Sequence, residues 1–422
     1  MKSKLIVVSA IIILALVAIV WAAQPKTASQ EDIRCAHIEK VVGSNPSIDP
    51  ALASAANNFA FSLLGKLNED EKFKRNLFVS PPSISLALSM TLNGAGGKTT
   101  ESMSSVLGFQ TMQLDEINKG NADMMKSLEK GDSKVEISIA NSLWLKKDLA
   151  FKKSFLERTC RAYQAELDTL DFTSPVAAKK VNRWVSKSTR GKIREIVDPS
   201  SLDDATAMLL INAIYFNGKW TKPFEPEATS EMPFHLTDGS EKQVRMMSNR
   251  DKYRYTESPD FQVVSLPYGD KRFSMYVFLP SKGSSLAEFC KSLDPASWSK
   301  WVSVMREKEG VIKLPRFKME FVVSLKETLS QMGMADAFGQ SADFSGMSDA
   351  ASLMIDDVIH KTYLEVDEKG TVAAAVTSVE MAVMGAVVHD EPFSMIVDRP
   401  FFCAIVDNQS GLILFMGAIT NP

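Results

Sequence analysis

Residues 205–220, with the sequence ATAMLLINAIYFNGKW, constrain the fold more than any other segment of this chain. The run is almost continuously apolar, which is typical of a β-strand whose two faces are both covered. Shorter strands with apolar residues are predicted at residues 134–147, 261–268 and 272–280. The chain must therefore bury a central sheet beneath other layers.

Helical patterns lead in the first half of the chain, and strand patterns dominate the second half. Residues 51–68 carry apolar side chains at helical spacing, and a Ser-Pro-Pro-Ser break at residues 80–83 precedes another predicted helix. Residues 310–323 and 353–370 are each predicted to form one long strand. Helices and strands do not alternate evenly, so the sequence predicts an α+β fold and not a doubly wound parallel sheet. No linker or repeat interrupts residues 51–422, which we interpret as one domain.

The N-terminus has the pattern of an export signal. Lys2 and Lys4 precede the apolar run LIVVSAIIILALVAIVWAA, which ends in small residues. We predict a signal peptide over residues 1–22, and the alternative is an uncleaved membrane anchor. Residues 23–50 are polar and irregular and are predicted to be a flexible extension. Both alternatives place the remaining chain outside the cytoplasm, either secreted or anchored at the membrane.

Charge and cysteine content exclude several classes of protein. The formal net charge is −3 and no block of Lys and Arg occurs, so neither nucleic acid nor heparin is an expected partner. The four cysteines lack the spacing of a metal site, and we expect no essential disulfide among them. Cys403 lies in the apolar run PFFCAIV, which predicts a buried free thiol.

Motifs of enzymes and cofactor sites are missing from the sequence. The segment GAGGKTTES at residues 94–102 has Leu92 where a phosphate-binding loop requires glycine, so its glycines are better explained by a turn after a helix. The four histidines are scattered, and no nucleophile or zinc motif occurs. We predict that the protein is not an enzyme, has no metal site and needs no cofactor.

The segment from Thr371 to His389 is unusual because Glu380 is its only charged residue before the terminal histidine. Alanine favours a buried helix here. Thr and Val instead favour a strand, and the small residues at alternate positions would fit between existing strands. Pro is absent up to residue 392, so every backbone N–H could pair in a central strand, and Gly370 supplies a pivot. The segment therefore has the properties of a loop that can become a strand.

Five motifs in this order resemble the serpin family of serine protease inhibitors. The resemblance extends over essentially all of residues 51–422, and it implies an α+β serpin fold with three β-sheets, eight to nine helices and an exposed reactive loop at about residues 369–391. The motifs are NLFVSPPSISLALSMTLNGAGGKTTESM, VNRWVSKSTRGKI, LLINAIYFNGKWTKPF, VIHKTYLEVDEKGTVAAA and MIVDRPFFCAI.

The resemblance implies a secreted suicide inhibitor that works as a monomer and has a target protease as its partner. A protease would cleave the loop, and the loop would then insert into the main sheet and trap the acyl-enzyme. Small residues in the hinge of the loop permit insertion, although Val372 and Val376 depart from the family's commonest pattern. The implied hinge consists of Glu368, Lys369, Gly370, Thr371, Ala373, Ala374 and Ala375.

Two further groups of residues match family positions near the main sheet. Trp220 matches a tryptophan at the upper end of the sheet, called the breach. A buried polar cluster beneath the middle of the sheet, called the shutter, is implied to consist of Ser80, Ser83, Asn212 and His360. Such a cluster can reform as strands separate, provided that its members stay hydrogen-bonded; the alternative is a static core.

Counting from Glu368 at the spacing usual in inhibitory members places the reactive bond at Met384–Gly385. Val383, Val387 and Val388 are alternatives, because the following segment is longer than in familiar members. No Lys or Arg lies between Lys369 and Arg399, which disfavours trypsin-like targets. Chymotrypsin-like, elastase-like or subtilisin-like serine proteases are expected, and cysteine proteases stay open. The alternative functions are a non-inhibitory carrier or chaperone and, outside the family, an enzyme or an anchored structural protein.

Overall fold

The computed structural model describes residues 35, 38–71, 75–350, 352–371 and 391–422. The predicted signal peptide lies outside these residues, as do Ala373, Ala374, Ala375 and the bond Met384–Gly385. No helix in the described part of the chain is long and apolar enough to cross a membrane.

Nine α-helices lie in the described part of the chain, in agreement with the expected eight to nine. The predicted break before the second helix is real: Ser80 precedes it, and prolines at its first two positions remove N–H groups that would have no partner inside the helix. The helices are α1 (Pro50–Glu71), α2 (Pro81–Leu92), α3 (Gly97–Leu107), α4 (Leu114–Glu129), α5 (Lys153–Tyr163), α6 (Val176–Ser188), α7 (Leu286–Lys291), α8 (Pro295–Val304) and α9 (Lys326–Leu329).

The strands dominate the second half of the chain, as the sequence predicts. They are β1 (Leu77–Val79), β2 (Val135–Lys146), β3 (Glu166–Leu170), β4 (Met208–Lys219), β5 (Ser230–His235), β6 (Glu241–Glu257), β7 (Phe261–Pro267), β8 (Phe273–Pro280), β9 (Arg306–Pro315), β10 (Phe317–Ser324), β11 (Ile359–Asp367), β12 (Gly370–Thr371), β13 (Phe393–Ile396), β14 (Phe401–Asp407) and β15 (Ile413–Ile419).

A six-stranded sheet in the order β10-β11-β12-β4-β2-β3 contains the strand from which the prediction started. Ile211 of β4 packs with Val181 and Val185 of α6 on one face of this sheet. Ile214 and Phe216, which point to the opposite face, belong to the main core. The prediction that this strand is covered on both faces is confirmed.

The remaining strands form one nine-stranded sheet in the order β1-β15-β14-β8-β7-β6-β9-β13, with β5 also paired to β6. The long strand β6 pairs with three strands in turn. Its residues 241–246 pair with β5, residues 246–255 with β9, and residues 254–257 with β7. Two of the three expected sheets are thus connected by hydrogen bonds through β6.

Residues 310–323 do not form the single long strand that we predicted from their apolar pattern. The chain changes sheets at Arg316, because β9 ends at Pro315 in the nine-stranded sheet and β10 begins at Phe317 in the six-stranded sheet. Proline has no backbone N–H to continue a ladder, so Pro315 suits a strand end. Residues 353–358 likewise lie outside β11, which begins only at Ile359.

A disulfide joins Cys35 to Cys160 of α5, contrary to the expectation that the cysteines form no essential disulfide. Cys290 and Cys403 are free and buried, as predicted for Cys403. Residues 38–49 contain no helix or strand, yet they contact α4 and α5: the Gly43 N–H donates to Asp123 Oδ1 at 2.6 Å. The N-terminal segment is therefore held to the domain by a covalent bond and by hydrogen bonds.

Candidate functional site

The chain leaves β11 at a tight turn and immediately enters the two-residue strand β12. Asp367 Oδ1 accepts hydrogen bonds from the N–H groups of Lys369 at 2.9 Å and Gly370 at 3.2 Å, which closes the turn. Thr371 then pairs with Val366 of β11 on one side and with Gly218 of β4 on the other. The beginning of the predicted hinge thus already lies between two strands of the six-stranded sheet.

Among the described residues of the predicted hinge, Gly370 has a backbone that requires glycine. Its φ is +150°, a conformation that side chains disfavour, and a Cβ atom there would lie 2.1 Å from the Gly218 carbonyl oxygen. The close approach of these two glycines lets the chain turn sharply into the sheet. This agrees with the pivot that the sequence assigns to Gly370.

Thr371 is 2% exposed, and its hydroxyl lies 2.7 Å from the hydroxyl of Tyr268. Burial raises the pKa of Tyr268 well above its usual range, so this phenol stays neutral and can share a proton with threonine. Tyr268 has room for its ring because Gly218 has no side chain: a Cβ there would lie 2.8 Å from Tyr268 Cδ1. Thr371 is therefore bound in a site that fits a small polar side chain.

Trp220 follows β4 directly and anchors the turn through its ring and its backbone. Its indole Nε1–H donates to the Asp367 carbonyl at 2.9 Å, and its backbone N–H donates to the Lys369 carbonyl at 3.0 Å. The indole stacks on Tyr268 with ring centroids 4.4 Å apart. Trp220 thus holds both the end of β11 and the tyrosine that contacts Thr371.

Glu368 is buried and has specific partners, whereas Lys369 is exposed. The Thr229 hydroxyl donates to Glu368 Oε1 at 3.0 Å, and Arg316 lies 3.5 Å from Glu368 Oε2. The backbone N–H of Phe224 donates to the Glu368 carbonyl at 2.8 Å. These contacts keep the glutamate charge in a polar environment at the edge of the sheet.

Among the described residues, no ladder joins β4 directly to β11; β12 lies between them at one end. Residues on both strands therefore have backbone groups directed toward the space that β12 enters. A strand that continued from Thr371 would run between β4 and β11. This is the property expected of a sheet that accepts an additional central strand.

His360 and Ser80 form the first of two polar contacts beneath the sheet. The backbone N–H of Ser80 donates to His360 Nε2 at 3.0 Å, and the Ser80 hydroxyl donates to the Leu414 carbonyl at 2.8 Å. Burial lowers the pKa of His360 from 6.5 to about 3. The imidazole is therefore neutral, with Nε2 as an acceptor. The nearby Thr362 hydroxyl donates to the Phe78 carbonyl at 2.6 Å.

Ser83 and Asn212 form the second contact, through the Ser83 hydroxyl and Asn212 Oδ1. Asn212 Nδ2 donates to Asn141 Oδ1 at 2.6 Å, and Asn141 Nδ2 donates to the Tyr163 carbonyl at 2.8 Å. Ser80, Ser83 and His360 are buried, but Asn212 is only partly buried. The four predicted shutter residues thus belong to two groups, one bonded to β11 and one bonded to β4.

Sequence reasoning missed Asn141, Tyr268 and Thr229, each of which contacts a predicted site residue. Asn141 stands directly opposite Asn212 in the β2–β4 ladder, so two asparagines on predicted strands were a usable signal once the register was known. Tyr268 follows β7 and Thr229 precedes β5, and neither had a recognisable pattern.

Comparison with known proteins gives a consistent result. A family model described as serpin (serine protease inhibitor) matches residues 54–422. A Xenopus laevis protein named leukocyte elastase inhibitor is 38% identical over 381 residues, which cover 88% of this chain and 99% of that protein. The native-state structure of the thermophilic serpin tengpin has a TM-score of 0.82 at 31% identity and covers 92% of this chain and 98% of its own. Human thyroxine-binding globulin complexed with thyroxine has a TM-score of 0.80 at 29% identity, covering 88% and 98%.

Proposed function

This chain belongs to the serpin family, and we propose that it is a secreted suicide inhibitor of serine proteases with chymotrypsin-like, elastase-like or subtilisin-like specificity. A protease cleaves the reactive loop and forms an acyl-enzyme, and the loop then enters the six-stranded sheet. At about 3.3 Å per residue, inserting roughly 15 residues carries the protease about 50 Å. The displacement distorts the protease before water can release it.

The observation that carries this proposal is the position of Gly370 and Thr371 between β11 and β4. Two residues of the hinge are already paired with both strands, so insertion continues an existing strand and needs no new nucleus. The next alternate positions toward the sheet interior are Ala373 and Ala375, which are small. Their side chains would follow Thr371 into the space beneath the sheet at low steric cost.

Secretion is supported by two independent features of the chain. The apolar run of residues 5–23 follows two lysines, as in an export signal. The disulfide between Cys35 and Cys160 is typical of an oxidising environment. Sequencing the N-terminus of the protein recovered from the medium would test cleavage after Ala22 or Ala23.

The specificity follows from the residues of the loop. Met384–Gly385 is the proposed reactive bond, and the absence of Lys and Arg between Lys369 and Arg399 leaves apolar residues to enter the specificity pocket of the protease. Apolar pockets are those of chymotrypsin-like and elastase-like enzymes. The name of the Xenopus relative agrees with an elastase among the targets.

The proposal is tested by incubating the protein with an elastase and with a chymotrypsin. We expect a covalent complex that survives SDS, and mass spectrometry of the released C-terminal fragment should place the cut at Met384–Gly385. A cut at Val383, Val387 or Val388 would keep the mechanism but move the bond. Unincubated protein and an inactivated protease serve as controls, because neither can form an acyl-enzyme.

Complete turnover of the loop by every such protease, with no complex and no rise in thermal midpoint after cleavage, would contradict the inhibitory mechanism. That result would favour the alternative of a carrier or chaperone. Tight binding of a small apolar ligand by the same preparation would then support a carrier, in line with the thyroxine complex of the human relative.

A further inference from the structure

A cavity of about 230 Å³ lies beside the hinge anchor, on the side of the Trp220 segment that faces β6. Three aromatic side chains contribute to its lining: Trp220, Phe224 and Tyr253. At about 30 Å³ per water molecule, the volume corresponds to roughly eight waters. A space of this volume can hold a small organic ligand.

The charges around the cavity have a small positive excess. Lys222, Lys252 and Lys271 line it together with Asp251 and Glu307, so three cations face two carboxylates. Lys222 neutralises Asp251 at 2.6 Å. Within the described residues, Lys252 and Lys271 form no ion pair, and neither does the exposed Glu307. The lining therefore matches a ligand with a single negative charge.

Tyr253 adds a buried polar group without a partner. The residue is 6% exposed, and its hydroxyl has no hydrogen-bond partner among the described residues. Burial raises the pKa of Tyr253, and the carboxylate of Asp251, which lines the same cavity, raises it further. An unpaired buried hydroxyl is costly, and native proteins rarely retain one without a reason.

We propose that this cavity is a binding site for a small aromatic carboxylate. The ring of the ligand packs against Trp220 and Phe224, and its carboxylate binds Lys271. The hydroxyl of Tyr253, which has no acceptor among the described residues, donates a hydrogen bond to the same carboxylate. A single carboxylate fits better than a phosphate ester with two charges, because the three lysines and two carboxylates of the lining have a net charge of +1.

The site is next to the hinge but does not depend on inhibitory activity. Trp220 is shared by both: it lines the cavity, and its indole stacks on Tyr268 at 4.4 Å, while Tyr268 contacts Thr371. A ligand packed against the indole therefore restrains the residue that anchors the turn after β11. Because binding is measured directly, a protein that inhibits no protease would still show it.

The experiment titrates 2-naphthoate into the full-length protein by calorimetry, with neutral 2-naphthamide as the charge control. We expect one site with a dissociation constant below about 1 mM for the carboxylate and at least about tenfold weaker binding for the amide. Lys271→Ala should weaken 2-naphthoate binding at least about tenfold. Lys282→Ala removes one exposed lysine elsewhere and should leave it unchanged within about twofold.

Tyr253→Phe separates a ligand contact from a structural role. It should weaken 2-naphthoate binding by about three- to tenfold, while the thermal midpoint without ligand stays the same or rises, since the variant removes an unpaired buried hydroxyl. Equal affinity of the carboxylate and the amide would overturn the proposal. So would an unchanged affinity in the folded Lys271→Ala variant, or the absence of saturable binding.

Discussion

If the protein acts by the suicide mechanism proposed above, replacing Thr371 by arginine should convert it from an inhibitor into a substrate. Thr371 lies between Val366 and Gly218 in the sheet, and its side chain is almost completely buried against Tyr268. In the uncleaved protein an arginine can avoid burial if the two residues of β12 withdraw from the sheet, because the adjacent Lys369 is already exposed. In the inserted state that escape is closed, since the strand continues on both sides of residue 371.

The magnitude follows from the two contacts that the substitution affects. Loss of the 2.7 Å contact between Thr371 and Tyr268 leaves a buried phenol without a partner, which costs about 1–3 kcal/mol. An uncompensated buried charge adds roughly 3–5 kcal/mol. If about 1.4 kcal/mol of this total is added to the activation free energy of loop insertion, insertion slows about tenfold. Deacylation by the protease is unchanged, so the ratio of cleaved to trapped molecules rises by the same factor.

The assay measures the molar ratio of inhibitor to protease needed for complete inhibition, together with the cleaved and complexed bands on SDS gels. Thr371→Arg should raise the ratio of cleaved to complexed protein at least about tenfold. Thr111→Arg makes the same chemical change at an exposed position and should behave as the unmodified protein. A partition ratio that stays within about twofold in a folded Thr371→Arg variant would refute the role assigned to this residue.

Three further outcomes follow from contacts of single residues. Tyr268→Phe removes the hydroxyl that binds Thr371 and should lower the free energy of unfolding by about 1 kcal/mol in urea titrations; no change would mean that the contact is not formed in solution. His360 has a folded pKa of about 3, below its value of 6.5 in the unfolded chain, so stability is present above pH 6.5 and falls as the pH decreases toward 3, by up to about 1.4 kcal/mol per unit. His360→Gln should flatten this slope, and an equal slope would contradict a buried neutral imidazole. Cys35→Ser should destabilise the protein by roughly 2–5 kcal/mol, because the disulfide from Cys35 to Cys160 closes a loop with a sequence separation of 125. Without this disulfide the stability of the variant should no longer depend on dithiothreitol. A variant that is as sensitive to the reductant as the unmodified protein would exclude this disulfide as the cause.

The class of fold could be predicted from the sequence because its central element carries a strong local signal. The apolar run at residues 205–220 becomes β4 at Met208–Lys219, buried from both sides by α6 and by the main core. The break between β9 and β10 was missed, because apolar alternation continues through Pro315 and does not report which sheet a strand joins. Sheet membership depends on tertiary pairing, and a local pattern does not contain it.

The candidate site was predictable only in part, for a related reason. Gly370 and Thr371 are assigned to the hinge because they are small residues. In the structure, Gly370 has a backbone conformation that favours glycine, and Thr371 fits against the hydroxyl of Tyr268. The disulfide of Cys35 could not be predicted, since it forms only when a segment without helix or strand is brought against α5. The pairing of Asn141 with Asn212 likewise needs the register of two strands, which spacing along the chain does not fix.

We propose that the movable part of the hinge begins at Thr371, because the backbone carbonyls of the three residues before Gly370 are hydrogen-bonded to the segment after β4. The carbonyls of Asp367, Glu368 and Lys369 accept hydrogen bonds from Trp220 and the segment that follows it, so these bonds do not depend on the hinge side chains. Thr371 pairs with Val366 and Gly218 in the sheet, and its side chain adds a contact with Tyr268. A backbone anchor keeps its geometry whatever sequence follows, whereas a side-chain contact can be broken and replaced by the next residue of an advancing strand. Substitutions at the exposed Lys369 should therefore matter little, and those at Thr371 should set the rate at which the strand grows.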